Sequence, residues 1–174
     1  NGVRLRSTLG PDDTFIYAAT GKRHISFAGG TTYNTNTRIG LDGGFGFTFS
    51  GGAPTSGLGG SITVGASGSN VSGSIRIANC IFDNNTAPNA TGGGAIAVYS
   101  AATIADSVAI FDNEFSNNVL TNTSGTPLGG AIYFNGGGTL SRIENNTIHD
   151  TTVSLTTGNF QGGGIYVTAY PGII

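Results

Sequence analysis

Acid–base chemistry on a repetitive chain needs carboxylates that the repeat brings together, and this sequence offers few. Asp83 and Asp150 are the best pair, with Asn117 midway between them in a similar polar stretch. If the repeat aligns these three positions, the two carboxylates stand two coils apart, roughly 9–10 Å at about 4.8 Å per coil. That distance suits an inverting glycosidase pair with a water between its members. However, no basic residue recurs at that position, and His149 beside Asp150 reads as a turn residue. The expectation is therefore no catalytic residue, with a polysaccharide lyase or hydrolase as the rival reading. Asp83, Asp112, Glu114, Glu144 and Asp150 would hold calcium only if gathered, and the calcium-binding nonapeptide GGxGxDxUx is not repeated. Neither a metal nor a cofactor is expected. Cys80 is the single cysteine, and Ile77 and Ile81 beside it mark a buried structural thiol. Thr35-Asn36-Thr37 and Thr121-Asn122-Thr123 lack the continuing ladder that an ice-binding face requires. Glycosylation sequons occur at Asn70, Asn84, Asn89, Asn122 and Asn145.

The elements that must position these residues follow from composition and period. Glycine accounts for 31 of 174 residues against 5 prolines, and Met and Trp are absent. A chain so poor in helix formers argues against a helical protein. A hydrophobic content of 37% argues against glycine-rich disorder, and the lack of a Gly-X-Y period excludes collagen. The length fits one domain, 1–174, all-β. Net charge is −2 with 9% charged residues, which gives no basis for nucleic-acid binding. The charges are polarised: Arg4, Arg6, Lys22, Arg23 and Arg38 against Asp12 and Asp13 give +3. From residue 40 onward Arg76 and Arg142 stand against seven acids, giving −5. No apolar run is long enough for a membrane-spanning helix, so no membrane insertion is expected. A chain starting at Asn1 reads as a mature or trimmed form of a secreted or cell-surface protein.

Paired glycines followed by a short apolar strand recur at Gly59-Gly60, Gly93-Gly94, Gly129-Gly130 and Gly163-Gly164, with spacings of 34, 36 and 34. A second motif, Asn-x-apolar, keeps phase at Asn79-Cys80-Ile81, Asn113-Glu114-Phe115 and Asn146-Thr147-Ile148. Two motifs on one period predict a right-handed parallel β-helix with three strands and about 34 residues per coil. Alternation places Ile62 and Val64, Ile96 and Val98, Ile132 and Phe134, and Ile165 and Val167 in an inward stack. The opposite face puts Tyr133 and Tyr166 outward as a possible surface contact. Asn79, Asn113 and Asn146 are assigned to a structural ladder at a tight bend, where side-chain amides satisfy backbone groups without strand partners. Residues 51–174 read as regular coils. Residues 1–50 read as irregular starting coils or a cap, with Tyr33 to Arg38 as a polar loop.

Gly93-Gly94-Ala95-Ile96 and Gly129-Gly130-Ala131-Ile132, with Phe82-Asp83-Asn84-Asn85 and Phe115-Ser116-Asn117-Asn118, resemble the GGA[I/L/V] and FxxN repeats of autotransporter passenger domains. The closest likeness is to the polymorphic membrane proteins of chlamydiae. The resemblance covers roughly residues 59 to 167 and implies surface display and adhesion, with a glycan or cell-surface ligand as a possible partner. From the residues themselves the expectation is a structural subunit. No polar helix or charged terminal coil follows Val167, so the ends of the β-helix are expected to meet further copies as a homopolymer.

Overall fold

The computed structural model describes residues 2–40, 43–88, 91–99, 107–123, 125–136 and 141–168. Asn89, Leu140 and the segment 169–174 lie outside them. Short runs of β-branched and aromatic residues alternate with polar ones between glycine- and asparagine-rich corners, a pattern that suits brief strands and sharp turns. The first turn of chain holds β1 (Arg4–Leu5), β2 (Phe15–Tyr17) and β3 (Ile25–Phe27). The second holds β4 (Thr32–Ile39), β5 (Thr48–Ser50) and β6 (Ile62–Val64). The third holds β7 (Ser72–Ala78), β8 (Ile81–Asp83), β9 (Thr86–Ala87) and β10 (Ile96–Tyr99). The fourth holds β11 (Ser107–Phe111), β12 (Glu114–Ser116), β13 (Val119–Asn122) and β14 (Ile132–Asn135). The fifth holds β15 (Arg142–Glu144), β16 (Thr147–Ile148), β17 (Thr152–Leu155) and β18 (Ile165–Thr168).

Each strand pairs with its counterpart in the next turn, always in parallel, so the described residues form an all-β solenoid of about five turns. Sheet I runs β1-β4-β7-β11-β15, sheet II β2-β5-β8-β12-β16 and sheet III β3-β6-β10-β14-β18. A fourth sheet, β9-β13-β17, occupies part of the polar stretches read as turns. Tyr33 to Arg38, read as a loop, lies within β4 and pairs with β7 through a register shift between Tyr33 and Thr37. That reading is corrected. Its threonines are β-branched, and Thr37 and Ile39 point into the core, so polar outward residues do not prevent a strand.

The interior is a set of columns, one residue per turn. In sheet III, Ile25, Ile62, Ile96, Ile132 and Ile165 stand in register, as do Phe27, Val64, Val98, Phe134 and Val167. In sheet I, Ile39, Ile77, Ile110 and Ile143 form another. Sheet II contributes an aromatic column: Phe49, Phe82 and Phe115 stack with ring centroids 5.3 and 5.0 Å apart. Ile148 continues it below. Ala87 and Leu120 of sheet IV, with Val153 and Leu58, make a smaller second core.

The corners explain the composition. Among the described residues, the non-glycine positions with left-handed backbone are Asn79, Asn84, Asp112, Asn117, Asn145 and Asp150, with φ between 51° and 54°. They mark the I–II and II–IV corners of three successive turns. Asn and Asp tolerate this conformation better than other L-residues. The residue after each faces inward. There Asn113 accepts the Cys80 amide on Oδ1 (3.0 Å) and donates Nδ2 to the Ile77 carbonyl (3.0 Å). Asn146 does the same to Asn113 and Ile110. At the next corner Asn118 serves Asn85 and Phe82, and Asn85 serves Gly52 and Phe49. Asn79 is therefore not a ladder residue, which corrects its assignment. It is the left-handed corner residue, and Cys80 fills the ladder position, because the motif repeats at 33 and not 34 residues.

At the corner before sheet III the first glycine of each pair has positive φ: Gly59, Gly93, Gly129 and Gly162. A Cβ on the second (Gly60, Gly94 or Gly130) would meet a carbonyl of the next turn at 2.1–2.2 Å. The last pair is thus Gly162-Gly163, one residue earlier than the sequence motif placed it.

The ladders set a stability test. Asn118 is fully buried, and Asn118→Ala strands the Asn85 amide and the Phe82 carbonyl, costing about 1–3 kcal/mol. Phe82→Ala leaves a cavity in the stacked column and costs about 3–5 kcal/mol. Thr151 ends the Asn118 ladder with a buried, unpartnered Oγ1. Thr151→Asn supplies the missing amide and is expected to raise stability by about 1 kcal/mol. Urea unfolding monitored by circular dichroism measures all three.

Candidate functional site

With the interior filled by columns, reactive side chains can lie only on the walls. The outer face of sheet II carries the richest cluster. Its pleat sends Glu114 and Ser116 outward from β12, opposite Thr147 and the position of His149 in the next turn. Asp83 Oδ1 accepts hydrogen bonds from Ser116 Oγ (2.8 Å) and Asn117 Nδ2 (2.9 Å), both from the neighbouring turn. His149 lies between two carboxylates, Nδ1 to Asp150 at 2.8 Å and Nε2 to Glu114 at 3.1 Å. The contacts of Asp83, and that of His149 with Glu114, tie turn to turn on the solvent side, as the ladders do inside.

The register moves the two candidate aspartates apart. Asp83 stands opposite Ser116 on the strand face, whereas Asp150 shares the left-handed corner position of Asn84 and Asn117. The alignment of Asp83 with Asn117 and Asp150 is corrected by this one-residue offset. Along the I–II corner an open groove of about 420 Å3 is lined by Asp12, Asn79, Ile81, Asp112, Asn113 and Glu114 among others. No three His, Cys, Asp or Glu side chains gather as metal ligands among the described residues.

Tyr133 and Tyr166 stack in parallel, ring centroids 6.0 Å apart, on the outer side of sheet III. Tyr133 is nevertheless 5% exposed, packed with Leu58, Leu128 and Tyr99, so its assignment to the surface is corrected. The loops that enter the glycine corners fold back over that face and cover it. The exposed aromatics lie elsewhere: Phe15 and Tyr17 point outward from β2, their rings stacked at 6.1 Å. Cys80 is buried, and desolvation pushes its thiol pKa up to about 12, so it is an inert packing group.

The ladder asparagines Asn85 and Asn118 and the phenylalanine column escaped the sequence reading as structure. Their signal was present in the motif Phe-x-x-Asn. Its Phe enters the column, its third residue takes the left-handed corner and its Asn enters the ladder. Asn84 and Asn145, two of the sequon asparagines, are exposed corner residues. Compared with known proteins, the chain matches no protein family, no curated protein and no solved structure.

The two histidines titrate in opposite directions. On His149 the hydrogen bonds that the ring donates to Asp150 and then Glu114 raise the pKa above 6.5. On His24 burial lowers it. Nε2–H of His24 donates to the Ser50 carbonyl and Nδ1 accepts from Ser61 Oγ, an arrangement that the neutral ring satisfies. A depressed histidine contributes stability that is complete above the unfolded value and is lost as pH falls below it. NMR titration should place His149 above and His24 below 6.5, and His24→Gln should reduce the loss of thermal stability below that pH.

Proposed function

We propose that this protein is a non-catalytic, extracellular β-solenoid, right-handed with three principal strands and about 34 residues per coil. It serves as a structural subunit that stacks end to end. The observation that carries the reading is the match between its outermost turns. Among the described residues, strands β1 to β3 and β15, β16 and β18 have a neighbour on one side only. The columns they would extend are alike: Ile25 and Phe27 at one end, Ile165 and Val167 at the other, all partly buried. Laying β18 of one copy against β3 of the next continues both columns at ordinary strand spacing, about 4.8 Å. Exposed large apolar side chains gather in the first turn, at Val3, Leu5, Leu9, Phe15 and Tyr17. Such a clustered patch suits burial against a partner. The basic first segment facing an acidic body adds a screened attraction.

This contact is heterologous, so copies that join head to tail without closing form a filament. Thr14 and Ala19 hold the register positions of the ladder asparagines in the first turn, one residue before Phe15 and two after Tyr17. The junction then rests on strand pairing and apolar contact and is weaker than the joints within one chain. Support for the absence of catalysis comes from the wall carboxylates Asp83 and Glu114, engaged in turn-to-turn bonds. A second reading, part of an adhesin that holds a glycan on its wall, is favoured by the exposed Phe15–Tyr17 pair.

Electron microscopy and sedimentation at rising concentration should show filaments. Ile25→Lys and Ile165→Lys each block one end, so either variant alone stays monomeric. Mixed in equal amounts they form a dimer and go no further, because each supplies the end that the other lacks. Monomers of the unmodified chain at every concentration, or a mixture that does not pair, would overturn the proposal.

A further inference from the structure

Sheet I turns an arginine outward at one position on its first three strands. Arg4 stands opposite Arg38, and Arg38 opposite Arg76. The residues flanking Arg38 and Arg76 (Thr37, Ile39, Ile75 and Ile77) are buried, so the alternation sends the arginines to the wall. Arg6, two residues beyond Arg4, is also exposed. Like charges directly opposed across strands are destabilising unless something neutralises them. Among the described residues the ion pairs are Arg142 with Glu144 and His149 with Glu114 and Asp150, so none of the described carboxylates pairs with the stripe. Arg4 reaches only the Asn36 side-chain carbonyl, and Nε of Arg38 is buried with no partner. The column ends abruptly. Its fourth member is Ala109, and its fifth, Arg142, is neutralised by Glu144 and lies 4.8 Å over the Phe111 ring.

We propose that this stripe binds a linear acidic polysaccharide lying along the solenoid axis, one carboxylate or sulfate per turn. The guanidinium fork matches either anion with two parallel hydrogen bonds. One charge every 4.8 Å or so suits a chain of pyranose rings better than a nucleic-acid strand, whose phosphates advance about 3.4 Å along the duplex axis. The exposed aromatics, Phe15, Tyr17, Phe45 and Phe160, lie outside the sheet I strands, so this wall offers no platform for base stacking. The hydroxyls of Ser74 and Ser107, hydrogen-bonded to each other two positions before Arg76 and Ala109, flank the stripe and can meet sugar hydroxyls. From residue 40 onward the net charge is −5, so most of the remaining wall repels a polyanion and favours this track. The stripe lies on the wall, so this inference stands independently of end-to-end stacking.

The test passes the chain over immobilised heparin, polygalacturonate, neutral dextran and single-stranded DNA at 50 mM NaCl. Retention on heparin, on polygalacturonate or on both is expected, with release as salt rises and none on dextran. The more tightly held polymer identifies sulfate or carboxylate as the preferred group. The double variant Arg38→Gln and Arg76→Gln should weaken binding at least tenfold while its thermal midpoint stays level or rises, since a repulsion is removed. Arg142→Gln should bind as the unmodified chain does. No retention on either acidic polysaccharide, an equal loss from Arg142→Gln, or DNA held as tightly would overturn the proposal.

Discussion

The backbone at the tight corners cannot hydrogen-bond to itself, and the rest of the structure depends on how those groups are satisfied. A left-handed residue reverses the chain within two positions and leaves an amide and a carbonyl facing inward. An unpaired group there costs as much as a lost hydrogen bond and, buried, considerably more. The inward asparagines Asn85, Asn113, Asn118 and Asn146 meet that demand in each case with one side-chain amide, which accepts from one backbone group and donates to another. Because both partners belong to the neighbouring turn, the same bonds hold turns in register. The phenylalanine and isoleucine columns can then interdigitate without slipping.

Much of this was legible in the sequence, and the failures have physical causes. The inward aliphatic positions follow from strict alternation after each glycine pair, and the structure puts Ile62, Ile96, Ile132 and Ile165 in one column. Asn79 misled because the corner needs two polar residues in succession, one left-handed and one inward, and Asn serves either role. At Asn79-Cys80 the inward role has passed to a thiol, so the visible asparagine is the other one. The strand β4 hid behind polar residues because only every second position of a strand meets the core. Tyr133 obeyed its outward register, yet a period cannot reveal that Leu58 and Leu128 fold over it. Sheet IV was missed for a related reason. Val119 to Asn122 is short and half polar, and Leu120 buries against Leu58 from another turn.

The walls follow a different logic from the interior. Inside, each column is nearly uniform, since a change of volume in one turn is felt by two neighbours. Outside, columns change identity from turn to turn: arginine gives way to alanine in sheet I, and aspartate to serine and then histidine in sheet II. Identity that persists over a few turns and then stops is where recognition can be written, because packing does not demand it.

The ladder asparagines share a direction. Asn85, Asn113, Asn118 and Asn146 each reach back to the preceding turn for both partners. A turn laid down later therefore finds its donors and acceptors already in place, and by binding them it satisfies the corner groups that the earlier turn had left open. Assembly of this kind suits vectorial folding from the first turn onward. Each finished coil is a template for the next, and the long-range pairings that slow most β proteins become a series of local additions.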